Sequence, residues 1–458
     1  MPQHPASYRD PAGHVHFRDG RVFRTVLPAG VPNYQAAKGS GFLAKAAAAG
    51  RLIEAREVDA GLLGDEAPDA RIVLEHPRLD FISYPYEWPF RALREAGLLT
   101  LSLHLDALES GLTLSDASAY NIQFVGPKPI FLDYLSVIEY QPGQVWLGYR
   151  QFCEQFLNPL LLTSVTGVAY HPLYRGSLEG IRPADLQALL PWRARLSPRI
   201  ALHVSLQARM QRRVSGANSH KYRAITISKE GLKANIAGLR NWIRRLEPPP
   251  SQVTPWQHYE QSASYTAEER AHKHRFVGEF VAATAPGVVL DIGCNSGEYS
   301  EVALRSGART VIGFEPDQGA LNAAYQRAQD RGLAFLPLCV DVGNPSPAMG
   351  WLERERDGIA GRVRPDVVLI LALVHHLILG RNVPMDQVVA WLVSLAPRGV
   401  VEFVPKEDPM AAQLLALKPD LAADYTAEGF ENALTARARM TRRETVTASG
   451  RVLFAFER

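Results

Sequence analysis

The chain has 458 residues, of which 47% are hydrophobic and 21% charged, with a formal net charge of +3. That balance excludes a disordered or collagen-like chain, and the length exceeds what one core ordinarily fills, so two or three domains are expected. Three widely spaced cysteines, Cys153, Cys294 and Cys339, form neither a disulfide framework nor a metal pattern, which fits a reducing compartment.

From the start, "MPQHPASYRDPAG" has no apolar run of the kind that opens a secreted chain. "HVHFRDGRVFRTV" (14–26) predicts a strand hairpin, "NYQAAKGSGFLAKAAAAG" a helix, and "FISYPYEWPF" a strand and hinge. "RALREAGLLTLSLHLDALES" predicts a helix leading into "LTLSDASAYNIQFVGPKPIFLDYLS" (112–136). In that segment Asp116 and Asn121 stand five apart, and Asp133 follows twelve later at the end of a short strand. The spacing resembles that of protein kinases. There an Asp accepts a hydroxyl proton, while an Asn and a second Asp hold magnesium against phosphate.

The departures from that pattern are large. The hairpin has no G-x-G-x-x-G, and Arg24 stands where a phosphate-binding lysine is expected. The following helix has no Glu, and no His-Arg precedes Asp116. D-x-x-x-x-N also arises in ordinary turns. Residues 1–245 are therefore expected to form an α+β domain, degenerate kinase-like, that assists substrate recognition. The alternative is a live Mg-ATP site, with Asn121 and Asp133 on the metal and Asp116 as base.

"FLNPLLLTSVTGVAY", like "VVLILALV" further on, falls short of the roughly 20 apolar residues of a membrane span, so a cytoplasmic protein is expected. Residues 191–245 carry thirteen Lys/Arg against one acid, Glu230. Such a stretch suits phosphate, RNA or a lipid surface, or is a solvated helical face with Arg stems over apolar surface. No run of stacking aromatics accompanies it, which disfavours nucleic acid. "RRLEPPPSQVTPWQ" then marks a Pro-rich linker, taken as 246–257.

Residues 258–458 alternate strand and helix. "GVVLDIG", "TVIGFEPD", "AFLPLCVDV", "PDVVLILAL", "GVVEFV" and "RVLFAFE" read as strands. "GEYSEVALRSG", "QGALNAAYQRAQDRG" and "MDQVVAWLVSLAP" read as helices. Near-continuous apolar strands between helices predict a parallel sheet covered on both faces. Ligands bind such sheets beyond the strands' carboxyl ends, at the switch point. "DIGCNSG" sits there with Gly293-x-x-x-Gly297 and no nicotinamide fingerprint. Asp291 precedes the first glycine: a pyrophosphate has no use for a carboxylate, whereas the ammonium of a bound methionine does. Glu315, 22 residues past Gly293, can accept two ribose hydroxyls, and Asp341 an adenine amino hydrogen. Singly, Asp291 and Asp341 could be helix caps and Glu315 a turn acid.

This trio resembles that of class I S-adenosylmethionine (SAM)-dependent methyltransferases. The resemblance implies a Rossmann-like domain with a seven-stranded, mostly parallel sheet whose last strand is antiparallel. It also implies that Asp291 and the loop of Gly293, Asn295 and Gly297 hold the methionine end, Glu315 the ribose and Asp341 the adenine. "DVGNPSPAMGW", "LALVHHL", "VEFVPKEDP", "SGRVLFAFER" and "YRDPAGHVHFRDGRVFR" are similar to the nodulation-protein NoeA-like methyltransferases over most of the chain. That implies a carbohydrate or other small-molecule acceptor; the alternatives are an RNA acceptor and a bifunctional kinase–methyltransferase. His375 and His376 follow the fourth strand, where an acceptor would sit, and either could serve as general base or pack against the cofactor. Glu402 is a candidate to orient substrate or a structural acid. Tyr259, Tyr265 and Lys273 form either a lid or an ordinary amphipathic helix.

Overall fold

The computed structural model describes residues 3–208, 226–249, 265–415 and 424–458. Part of the Pro-rich linker (250–257), Tyr259 and part of the basic stretch (209–225) lie outside the described residues. The chain forms two compact units: residues 1–251 with 348–357, and residues 252–347 with 358–458.

The first unit opens with β1 (Val15–Arg18), β2 (Arg21–Val26), β3 (Arg56–Val58) and β4 (Ile72–His76), an antiparallel sheet in the order β1-β2-β4-β3. The β1–β2 turn puts Asp19 and Gly20 at φ 51° and 76°, the primed geometry whose twist matches the flanking strands. Where one helix was expected there are two, α1 (Val31–Gly39) and α2 (Phe42–Ala48), broken where Gly41 turns left-handed at φ 76°. The strand expected in 81–90 is absent, and β4 lies upstream instead. Pro85 and Pro89 lack ladder donors, and the Gln123 amide takes over Ser83: Ser83 N donates to its Oε1 (2.9 Å) and its Nε2 donates to Ser83 O (2.8 Å).

α3 (Phe90–Glu109) follows, then β5 (Leu112–Leu114), β6 (Ile122–Val125), β7 (Lys128–Phe131) and β8 (Val137–Glu139). β6 pairs with β7, and β5 with β8, all antiparallel. α4 (Lys229–Ile243) buries Leu232, Ile236, Leu239 and Ile243, one helical stripe, and packs on α3. In the 348–357 segment, Glu355 accepts hydrogen bonds from Tyr8 Oη and Arg9 Nη2 (both 2.6 Å) and from Trp351 N (2.9 Å). The Arg356 guanidinium lies 4.2 Å from the centre of the Tyr120 ring.

The second unit is a seven-stranded sheet: β9 (Val288–Ile292), β10 (Thr310–Phe314), β11 (Phe335–Leu338), β12 (Val367–Ile370), β13 (Arg398–Phe403), β14 (Arg439–Thr445) and β15 (Val452–Glu457). The order is β11-β10-β9-β12-β13-β15-β14. The first five strands run parallel, and β15 is antiparallel to both its neighbours. Edge strand β14, "RMTRRET", alternates half-buried and exposed residues and offers no apolar run to betray it. α5 (Ala267–Thr284), α6 (Glu298–Arg305), α7 (Gln318–Asp330) and α8 (Met385–Leu395) connect or cover the strands. Phe276, Val281, Val289, Val311, Phe335, Leu369 and Leu453 share the core.

The order reverses at β9, so a crevice opens beyond its carboxyl end. Gly297 closes the turn there at φ 82°, and a Cβ on it would lie 2.5 Å from Phe335 Cε1. Gly297→Ala should lower stability by about 1–3 kcal/mol, measured by urea unfolding. Gly332→Ala, also left-handed at φ 60° but with no atom within 4 Å of its Cβ, should cost less.

Candidate active site

The turn from β9 to α6 is built to bring backbone close to a ligand. Gly293, Asn295 and Gly297 all have positive φ, 76°, 49° and 82°. For Asn that conformation is uncommon, and its side chain stabilises it by accepting from Ser296 N at 2.7 Å. Asp291 ends β9, buried, and Ser300 Oγ donates to its Oδ2 at 2.6 Å. Burial pushes its pKa up to about 6, against the downward pull of the Ser300 hydroxyl and the Lys273 ammonium.

Glu315 follows β10. Its Oε2 accepts from Asn295 N (3.0 Å) and its Oε1 from Asp317 N (2.8 Å), which ties the β10 end to the β9 turn. Each oxygen keeps a lone pair for a further donor. Burial raises its pKa to about 7, with the two amides opposing. Asp341 lies three residues past β11 and is partly exposed. Its Oδ1 accepts from Gly343 N, and Arg381 Nη2 donates to its Oδ2 at 2.7 Å. A ligand amino group would share that carboxylate with Arg381.

Beyond β12, Ala372 adopts φ 51°, and His375 and His376 follow with ring centres 4.1 Å apart. His375 is 1% exposed, and its Nδ1 has no hydrogen-bond partner among the described residues. Burial holds the His375 pKa well below its usual value and takes that of His376 down to about 4, so both rings are neutral at pH 7. A buried ring nitrogen without a partner is costly unless a ligand completes it.

Glu402, Tyr265 and Lys273 belong to one buried network. Lys273 Nζ donates to Glu402 Oε2 (2.7 Å) and to Tyr265 Oη (3.2 Å), and Tyr265 Oη donates to Glu402 Oε1 (2.5 Å). Arg451 Nη1 donates to the same Tyr265 oxygen, while its Nε and Nη2 grip Asp408 at 2.8 and 2.9 Å. Lys273, Glu402, Asp408 and Arg451 are all buried. The sequence singled out neither Arg451 nor Asp408, nor Ser300. Nothing in one sequence marks a lone Arg in "SGRVLF" or an Asp in "KEDP" as fully buried.

In the first unit, Asp116, Asn121 and Asp133 do converge. Asn121 Nδ2 donates to Asp133 Oδ2 at 3.4 Å, and Asn121 also bonds the half-buried Asp116 carboxyl. Burial, then the Asp133 charge, raises the Asp116 pKa. However, Arg24 on β2 forms an ion pair with Asp133 Oδ1. Among the described residues no group of three or more His, Cys, Asp or Glu is placed to hold a metal ion.

A parallel sheet reversing at β9, with an antiparallel β15 and buried acids after its first two strands, defines a class I SAM-dependent methyltransferase. The chain is 42% identical over 456 residues to nodulation protein NoeA of Rhizobium meliloti (strain 1021), covering 99% of this chain and 95% of that one. It belongs to the NoeA family. No family model matches it. Ribosomal protein L11 methyltransferase of Pseudomonas putida is 34% identical over 95 residues, 18% of this chain and 32% of that protein. Among solved structures, the N-methyltransferase NodS from Bradyrhizobium japonicum WM9 is similar at TM-score 0.32 and 15% identity, over 42% of this chain and 97% of that one. The bifunctional kinase-methyltransferase WbdD gives 0.31 and 17%, over 44% and 41%. Similarity that low adds nothing to the strand order.

Asp408→Ala would leave the Arg451 guanidinium buried without its carboxylate. Stability should fall by about 3–5 kcal/mol, read as a lower urea midpoint.

Proposed function

We propose that the second unit transfers the SAM methyl group to an oxygen or nitrogen of a carbohydrate or other small-molecule acceptor seated at His375 and His376, and that the first unit assists its recognition. The observation that carries this reading is the buried His375 Nδ1, which has no hydrogen-bond partner among the described residues. The donor set fits the cofactor. Asp291 matches a cationic amino acid end, Glu315 has two lone pairs for two ribose hydroxyls, and the left-handed loop lets backbone approach. SAM carries its methyl on a sulfonium, so the leaving group is already activated.

The chain's own work is then alignment and proton removal. Asp291 would hold the ammonium, and Glu315 the ribose. Asp341, shared with Arg381, would accept from the adenine. Neutral His375 accepts the acceptor's proton at Nδ1, and His376 packs beside it. A low-pKa imidazole is a modest base, which suits a reaction that needs only a late proton transfer.

A nucleotide site at Asp116, Asn121 and Asp133 is the second reading, favoured by their convergence. It ranks second because the Arg24 guanidinium already supplies the charge that magnesium would bring to Asp133. Titration of Mg-ATP into the full chain should give no magnesium-dependent heat. Binding that Asp133→Ala abolishes would promote the nucleotide reading.

Calorimetric titration of SAM tests the leading one. Glu315→Ala should abolish binding, and wild-type affinity in that variant would sink the assignment. Because burial holds Asp291 and Glu315 protonated up to about pH 6 and 7, while SAM needs them ionised, binding releases protons. Affinity should therefore rise with pH, by about tenfold per unit for each required ionisation below its pKa, and level off above about 7. His375→Ala should keep SAM binding but lose about 10²–10⁴ in methyl transfer. An unchanged rate would move the base elsewhere.

A further inference from the structure

We infer that residues 189–206 of the first unit are a docking surface for an anionic lipid bilayer. Three short elements pack together here: the helix Pro183–Leu189, the turn Ala194–Leu196 and a helix over 198–208. Leu186, Leu190, Ile200, Val204 and Ala208 are buried and supply the local core. A second apolar set faces outward. Trp192 is 66% exposed, Leu196 72%, Leu202 55% and Leu206 46%.

In the 198–208 helix the two sets lie on opposite faces. Ile200, Val204 and Ala208 are spaced by four, and so are Leu202 and Leu206. A helix apolar on both faces needs a second apolar neighbour. Arg199, three positions before Leu202, is exposed and places its guanidinium 5.9 Å from the centre of the Trp242 ring. Arg193 places its guanidinium 5.4 Å from the Trp192 ring centre. Arg195 is fixed by donating to Leu190 O (3.0 Å) and Ala188 O (3.3 Å).

Charge selects the occupant. No acidic residue occurs between Asp185 and Glu230, and residues 189–206 themselves carry Arg193, Arg195 and Arg199. Trp and Leu at the level of Arg heads is the composition that sits at a headgroup boundary: apolar side chains enter the acyl region and guanidinium groups meet phosphate. RNA would satisfy the arginines but not four outward Leu and Trp side chains, of which only one can stack on a base.

The test uses the full-length protein and vesicles of phosphatidylcholine, with and without phosphatidylglycerol, in co-sedimentation. Binding to the anionic vesicles that weakens with salt is expected. Trp192→Ser with Leu196→Ser should weaken it by about tenfold or more, and Arg193→Ala with Arg199→Ala should do the same. Both variants alter exposed side chains, and unchanged thermal unfolding checks their fold. Failure to bind anionic vesicles overturns the inference. So does binding that the Trp192/Leu196 variant preserves, or preference for an unstructured RNA oligonucleotide over the vesicles. The readout does not depend on SAM, so the methyltransferase reading stands or falls separately.

Discussion

The second unit depends on charge buried where a sheet would ordinarily bury hydrocarbon. Lys273 and Arg451 both reach the Tyr265 hydroxyl, and their carboxylates, Glu402 and Asp408, come from β13 and from the loop after it. Three regions distant in sequence are thereby held in one arrangement: α5 with its lead-in, β13 with the loop after it, and the residue before β15. Replacing such a cluster with hydrocarbon can be neutral for stability, so its value lies elsewhere. It fixes geometry, and it places the Lys273 charge where it works against the burial that would protonate Asp291. Lys273 does lie on a helix, α5, as one of the two readings expected, and buried Lys273 and half-buried Tyr265 fasten it to β13.

The fold of the second unit was largely legible because parallel strands buried on both faces advertise themselves. "VVLDI" and "VVLI" have no polar alternation to confuse the period. β14 escaped because an edge strand with one face in solvent carries arginines and threonines. The cofactor acids were legible through order and spacing. What spacing could not supply was occupancy: that Arg381 already sits on Asp341, or that one histidine of the pair is fully enclosed with an orphaned nitrogen. These depend on side-chain direction across elements far apart in sequence. In the first unit the hairpin and long helix were readable, but "FISYPYEWPF" misled. Its aromatics and Ile82 look like a strand, and the Gln123 amide, forty residues away, takes the backbone groups of Ser83 that a partner strand would take.

Arg24 illustrates how an arginine and a lysine differ in what they allow a site to do. A lysine ammonium is a compact charge on a flexible stem, able to serve a phosphate and a carboxylate in turn. A guanidinium paired with Asp133 is a fixed internal counter-ion. The Arg24–Asp133 pair joins β2 to the segment after β7, with Asn121 on the other carboxylate oxygen.

The 348–357 segment interrupts the second unit in sequence yet belongs to the first, where Glu355 anchors Tyr8 and Arg9. On the ribosome, therefore, the first unit cannot finish folding when its own first 251 residues have emerged. It waits for about a hundred more, by which time three strands of the second sheet have been made. A truncation between the two units would therefore take from the first a segment that belongs to it.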